Sequence, residues 1–183
     1  MSLNSETNLV KAAKNGHLES FGALYERYYN PMVALAYSML ADRDLADDAA
    51  QEVFTIACRD IGSLKNKEKF AAWLAGICRN TARQMLRSKG KSITLNPRPN
   101  KEDLYNQEYR FDVVHRALWQ LRAAERELIV LRYYDNLPYE RIAKVLDISV
   151  QAVNGRLIRA KRKIAEYLKR NGCTEDDYET SQQ

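Results

Sequence analysis

Apolar residues recur at threes and fours along most of the chain, and nowhere do they alternate in the period of two that a strand needs. Before Ser88 this spacing predicts helices over 9–15, 18–40, 45–61 and 67–87. The second begins with Phe21, Leu24, Tyr25, Tyr28 and Tyr29. The third carries a close-packing stripe of Ala46, Ala49, Ala50, Val53, Phe54 and Ala57, and the fourth a stripe of Phe70, Trp73, Leu74, Ile77 and Met85. Towards the C-terminus, Tyr139, Ile142, Ala143 and Leu146 mark one amphipathic helix. Val150, Val153, Leu157, Ala160, Ile164 and Leu168 mark another. Only Asp147-Ile148-Ser149 separates them, room for no more than a tight turn, and Ser149 is placed to cap the second helix by accepting an orphan backbone N–H. Two helices so joined cross steeply, which predicts a helix-turn-helix.

The pattern breaks in SKGKSITLNPRPNKEDLYNQEY, where Gly90, Pro97 and Pro99 interrupt a stretch without helical period. The expected architecture is all-α: two small helical domains joined by a flexible linker. A bundle over 1–88 leads through a linker over 89–110 to a four-helix helix-turn-helix domain, without a wing, over 111–171. An acidic tail over 172–183 has the composition of a disordered segment. At 183 residues the chain is long enough for two modest cores.

Charge sharpens this picture. The net charge is +5, but its distribution says more than its sum. Arg79, Arg83, Arg87, Lys89 and Lys91 form one basic group, and five of the eight residues 156–163 form another. Asp42, Asp44, Asp47, Asp48 and Glu52 form an acidic run. Acids in a first helical turn complement the helix dipole, a structural alternative for Asp47 and Asp48 alone, whereas a binding face for a basic partner explains all of these residues. Gln51 and Glu52 lie deeper, and with Asp48 they share one helical face, as a docking surface for a basic partner requires. In the fourth helix, Lys65, Lys67, Lys69, Arg79, Asn80, Arg83 and Arg87 surround aromatic residues. Such interleaving suits single-stranded nucleic acid, phosphates taking the cations and unstacked bases the rings, with Trp73 either platform or core. On the last helix, removing the apolar stripe leaves Gln151, Ala152, Asn154, Gly155, Arg156, Ile158, Arg159 and Arg162, a mixture suited to base edges and phosphates.

Other chemistry finds little footing. His17 and His115 have no ligand or triad neighbours in sequence, and the seven glycines form no phosphate loop, so neither an enzyme nor a metal or organic cofactor is expected. Cys58, Cys78 and Cys173 show no zinc or CxxC spacing and read as idle thiols. No apolar run approaches the roughly 18 residues of a membrane span. The first residues lack the apolar core of a signal peptide, so no membrane insertion and a cytoplasmic location are expected.

Three segments together resemble a sigma factor of the small, two-domain extracytoplasmic-function (ECF) class of the sigma-70 family. DLADDAAQEVF is similar to its core-binding motif, FAAWLAGICRNTARQMLR to its promoter-melting helix, and LPYERIAKVLDISVQAVNGRLIRAKRKI to its helix-turn-helix. The resemblance runs from about residue 21 to 168 with the motifs in the family's order. It implies an initiation factor with RNA polymerase core and promoter DNA, both duplex and melted strand, as partners, and it admits an anti-sigma factor. Asp47, Asp48, Gln51, Glu52 and Phe54 then belong to the polymerase-binding face. Lys65, Lys67, Lys69, Trp73, Arg79, Asn80, Arg83 and Arg87 belong to the minus-ten face. Gln151, Asn154, Gly155, Arg156, Ile158, Arg159, Arg162 and Lys163 belong to the minus-thirty-five face. Ala152, Asn154 and Gly155 depart from the usual Thr, Lys or Arg, and Ser, so base preference cannot be carried over. Arg122-Ala123 replaces a usual proline, leaving the start of the next helix open. The alternative from another class is a stand-alone helix-turn-helix repressor or activator, which leaves DLADDAAQEVF without a role.

Overall fold

The computed structural model describes residues 5–88 and 105–171; the expected linker core and acidic tail, with Lys89, Lys91 and Cys173, lie outside the described residues. Every element described is helical. Helix α1 (Glu6–Lys14) starts earlier than its apolar spacing indicates, because the Ser5 hydroxyl accepts the Asn8 N–H. Gly16, at φ 87°, makes the left-handed turn into α2 (Leu18–Leu40). Asp42 caps α3 (Arg43–Asp60) by accepting the Leu45 N–H at 3.0 Å. Two short 3-10 turns, Ile61–Ser63 and Lys67–Lys69, then lead into α4 (Phe70–Ser88).

The second half comprises α5 (Tyr105–Gln120), α6 (Ala123–Ile129), α7 (Tyr139–Leu146) and α8 (Val150–Arg170). In place of the usual proline, Arg122 sits in extended backbone ahead of α6 and the Glu125 carboxylate accepts its N–H at 3.2 Å, so the helix starts at Ala123. Helix α6 widens into a π segment, Val130–Tyr134. Ser149 caps α8 as expected, its hydroxyl accepting the Ala152 N–H at 3.1 Å, and Asp147 makes the preceding turn in the left-handed region at φ 54°.

Helix α2 forms the centre of the first half, with Leu24, Tyr28, Met32 and Leu35 buried against the alanine stripe of α3 and against Phe70, Leu74 and Cys78 of α4. The small residues Ala71, Ala75, Cys78 and Ala82 form the buried side of α4, leaving Trp73, Ile77 and Met85 partly buried at its border. Phe70 and Leu74 of the expected stripe are fully buried alongside the small residues, so the stripe is corrected only at Trp73, Ile77 and Met85. In the second half, Leu128, Leu131, Ile142, Val145, Val153, Leu157 and Ala160 make the core. Val150, expected in that stripe, is 37% exposed because it precedes the first residue that turns inward, Val153.

The two halves are docked, with α2 against α6 and the π segment and α4 against α7. The reason lies in the backbone of α2. Pro31 within that helix has no N–H, which orphans the carbonyl of Arg27 one turn earlier. Arg141 of α7 supplies the missing donor at 2.9 Å and lies over the Tyr28 ring. Near the C-terminal end of α2, Arg126 of α6 donates to the Ser38 carbonyl at 2.6 Å, where a cation also complements the helix dipole. Tyr37 stacks on Tyr134 at 5.5 Å beside these contacts.

Asp135, which closes the π segment, is half-buried, and its Oδ2 has no hydrogen-bond partner among the described residues. Burial pushes its pKa up to about 6, against the downward pull of Arg141. A carboxyl raised in the folded state holds its proton longer there than in the unfolded chain, so its contribution to stability falls as pH rises from about 4 to about 6. Asp135→Asn is therefore expected to gain stability relative to the parent across that interval, measured as urea midpoints at a series of pH values; a constant difference would contradict the assignment.

Candidate nucleic-acid and polymerase interfaces

On α3, Asp48, Gln51 and Glu52 are exposed on one face, as the helical spacing requires. Asp47 is half-buried and accepts a long hydrogen bond, 3.4 Å, from the Tyr29 hydroxyl, whose pKa desolvation raises. Phe54, expected among the contact residues, is instead only 4% exposed. It packs against Tyr25 at 4.7 Å and Phe21 at 6.3 Å because its helical position points between α2 and α3. What it offers outward is the edge of a groove shared with Tyr25, Gln51, Thr55, Cys58 and Arg59. This aromatic groove beside the acidic face was not foreseen from the spacing. Its signal was Tyr25, which is 38% exposed and one turn from Tyr29.

The residues expected to face melted DNA divide. Lys65, Asn80, Arg83 and Arg87 are exposed, with Arg83 donating to the Asn80 side-chain oxygen at 3.1 Å, and Lys67 is half-exposed. Trp73 packs on Phe70 at 5.9 Å and lies against the core, so it is a border residue and not a free platform. Lys69 is paired with Asp147 in the turn between α7 and α8. Arg79 is held in a bidentate pair by Glu127 of α6, at 3.0 and 2.9 Å, with side-chain exposures of only 23% and 11%. Its pKa is raised by that hydrogen-bonded carboxylate, so the guanidinium stays charged. As the chain stands folded, Arg79 is not open to a phosphate. Cys78, next to it, is buried and its thiol is pushed up to about 12, in keeping with an idle thiol; Cys58 is exposed.

The helix-turn-helix presents Gln151, Asn154, Ile158, Arg159 and Arg162 to the outside, with Gly155 and Arg156 half-exposed on the same helix. Ile158 is 60% exposed, an apolar residue without a partner in the fold amid cations, as contact with a base methyl group requires. Lys163, expected among the phosphate contacts, donates instead to Glu125 at 2.6 Å, which holds that carboxyl below its usual range.

Comparisons with known proteins bear on the family of the chain. Residues 24–92 match Sigma-70 region 2 and residues 111–164 match Sigma-70, region 4. The chain is 27% identical to the RNA polymerase sigma-H factor of Pseudomonas aeruginosa, over 89% of this chain and 93% of that one. It is 29% identical to the ECF RNA polymerase sigma-E factor of Escherichia coli K12, over 85% and 90%. The protein belongs to the sigma-70 family, as an ECF sigma factor. Its fold is similar to that of CnrH, solved in complex with the cytosolic domain of CnrY, with a TM-score of 0.61 at 25% identity over 91% of this chain and 99% of that one.

As a sigma factor the chain acts in transcription initiation with RNA polymerase core and promoter DNA, and region 2 comprises most of α2 with α3 and α4 while region 4 includes α6 to α8. Among the described residues no helix is long and apolar enough to cross a membrane. Sequence reasoning missed the partners that take cations out of these faces, Glu127 above all. Its signal was a lone acid leading the apolar run Leu128-Ile129-Val130-Leu131. Gly155 is a further case: a Cβ there would meet only the end of Arg159, at 3.6 Å, which is ordinary contact. Nothing in the fold demands glycine, so Gly155→Ala is expected to raise stability by up to about 1 kcal/mol, read as a higher denaturation midpoint; a lower midpoint would contradict the open packing at that position.

Proposed function

We propose that this sigma factor holds core polymerase through the exposed Asp48–Gln51–Glu52 face and the adjoining aromatic groove on α3. It reads the upstream promoter element with the start of α8 and holds the melted downstream strand along α4. The observation that carries the reading is the separation of faces: an acidic surface on α3 and a basic surface on α8, where Arg159 is exposed and Arg162, 3.7 Å from Glu166, remains largely exposed, on different halves of one chain. Arg159 and Arg162 position the duplex through phosphates, whereas Gln151, Asn154 and Ile158 face base edges. Asn80, Arg83 and Arg87 offer the single strand an amide and two cations, and capture of an unpaired base offsets the few kcal/mol of unstacking. The polymerase supplies the catalysis, so the chain itself is not an enzyme, and its place of action is the cytoplasm. A protein inhibitor of the anti-sigma kind belongs to the same reading, since CnrH was solved with a second protein's cytosolic domain.

Two substitutions test the separate faces. Replacing Gln51 and Glu52 together by Ala should weaken retention on core polymerase by roughly tenfold, the scale of a modest hot spot, with the circular dichroism unchanged; undiminished affinity would remove this face from the interface. Arg159→Ala should lower duplex promoter affinity and reduce the slope of log K against log salt by about one phosphate contact. An unaltered slope would mean that Arg159 contacts no phosphate.

A further inference from the structure

The outward side of α8 is a strip of uneven height. Gln151, Asn154, Ile158 and Arg162 recur at threes and fours with Gly155 beside them, so they line one face opposite the buried Val153, Leu157 and Ala160. Gly155 is the low point of that strip. A Cβ there would meet nothing but the far end of Arg159, at 3.6 Å, and the backbone is not in the left-handed region, so neither packing nor conformation asks for glycine. Glycine inside a helix lowers stability relative to alanine. What it leaves in return is bare backbone on an exposed face, which another surface can approach more closely than any side chain permits.

The neighbours of Gly155 suit such an approach. Asn154 carries a short amide side chain, which can donate to N7 and accept from the N6 amino group of an adenine only where the helix lies close to the base edges. Ile158 is an apolar side chain, 60% exposed among cations, and the apolar feature of a major groove is the thymine methyl group. Four residues advance the helix by about 6 Å, less than two base-pair steps of about 3.4 Å each. We propose that Gly155 is a positioning residue for the upstream element: its missing side chain seats the start of α8 deep enough in the major groove for Asn154 to grip an adenine and Ile158 to cover a thymine methyl group within two base pairs of it. This seating rests on the proposed reading of duplex DNA by α8. The Arg159 guanidinium, the flexible group beside the bare backbone, then moves out to a phosphate. A guanine in place of the adenine would set its O6 acceptor against the Asn154 carbonyl oxygen, and a cytosine in place of the thymine would remove the methyl group.

The test uses the full chain bound to core polymerase and a pool of duplexes of random sequence, from which the preferred upstream element is recovered. In that element single adenines are replaced by 7-deazaadenine, which lacks the N7 acceptor, and single thymines by uracil, which lacks only the methyl group. For the parent, the first replacement at one position should weaken binding by about tenfold, and the second, within two base pairs of it, by about fourfold. Asn154→Ala should be indifferent to the first and Ile158→Ala to the second. Gly155→Ala, folded and at least as stable as the parent, should bind the recovered duplex about tenfold more weakly and lose most of its discrimination against both replacements. Unchanged affinity and discrimination in Gly155→Ala would overturn the positioning role, and a parent indifferent to both replacements throughout the element would overturn the two readers. Either result leaves α8 as the reader of the upstream element, whereas a recovered pool with no shared upstream sequence removes that assignment and the seating with it.

Discussion

A proline in the middle of a helix leaves a carbonyl that must find a donor, and much of this molecule's arrangement follows from where that donor comes from. Pro31 orphans the Arg27 carbonyl within α2, and the donor is Arg141 of the other half. Docking of region 4 covers that carbonyl and supplies its donor in the same contact, so the bond has to form wherever the two halves meet. Arg126 does the same at the C-terminal end of α2, and the Arg79–Glu127 pair adds a second kind of constraint. Removing one member of a buried ion pair leaves the other uncompensated, which enforces the register in which α4 and α6 meet.

That constraint decides which functional faces are open. The acidic face of α3 points away from the partners of α2, and the basic face of α8 is formed on the side opposite Val153, Leu157 and Ala160, so both stay exposed while the halves are docked. The α4 face lies between them and is partly taken.

The sequence made the helices legible because amphipathic spacing is a local property. Ser149 capping α8 and the alanine stripe of α3 followed directly from residue type and period. Three features escaped for a common reason, namely that they depend on contacts distant in sequence. Arg79 and Lys163 read as free cations because Glu127 and Glu125 lie 48 and 38 residues away. Phe54 read as a contact residue because its aromatic neighbours Phe21 and Tyr25 sit on another helix. Val150 failed for a smaller reason: a period of 3.6 does not say where on the first turn burial begins.

Both halves must serve one event for this account to hold, with region 2 gripping the transcription machinery and region 4 selecting where it lands. The most direct measurement is to map transcript 5′ ends made on genomic DNA by purified core polymerase with and without the full chain. The account predicts a set of start sites that arises only when the chain is added and that shares sequence at two upstream positions. An identical set of starts with and without it would contradict the account at its centre.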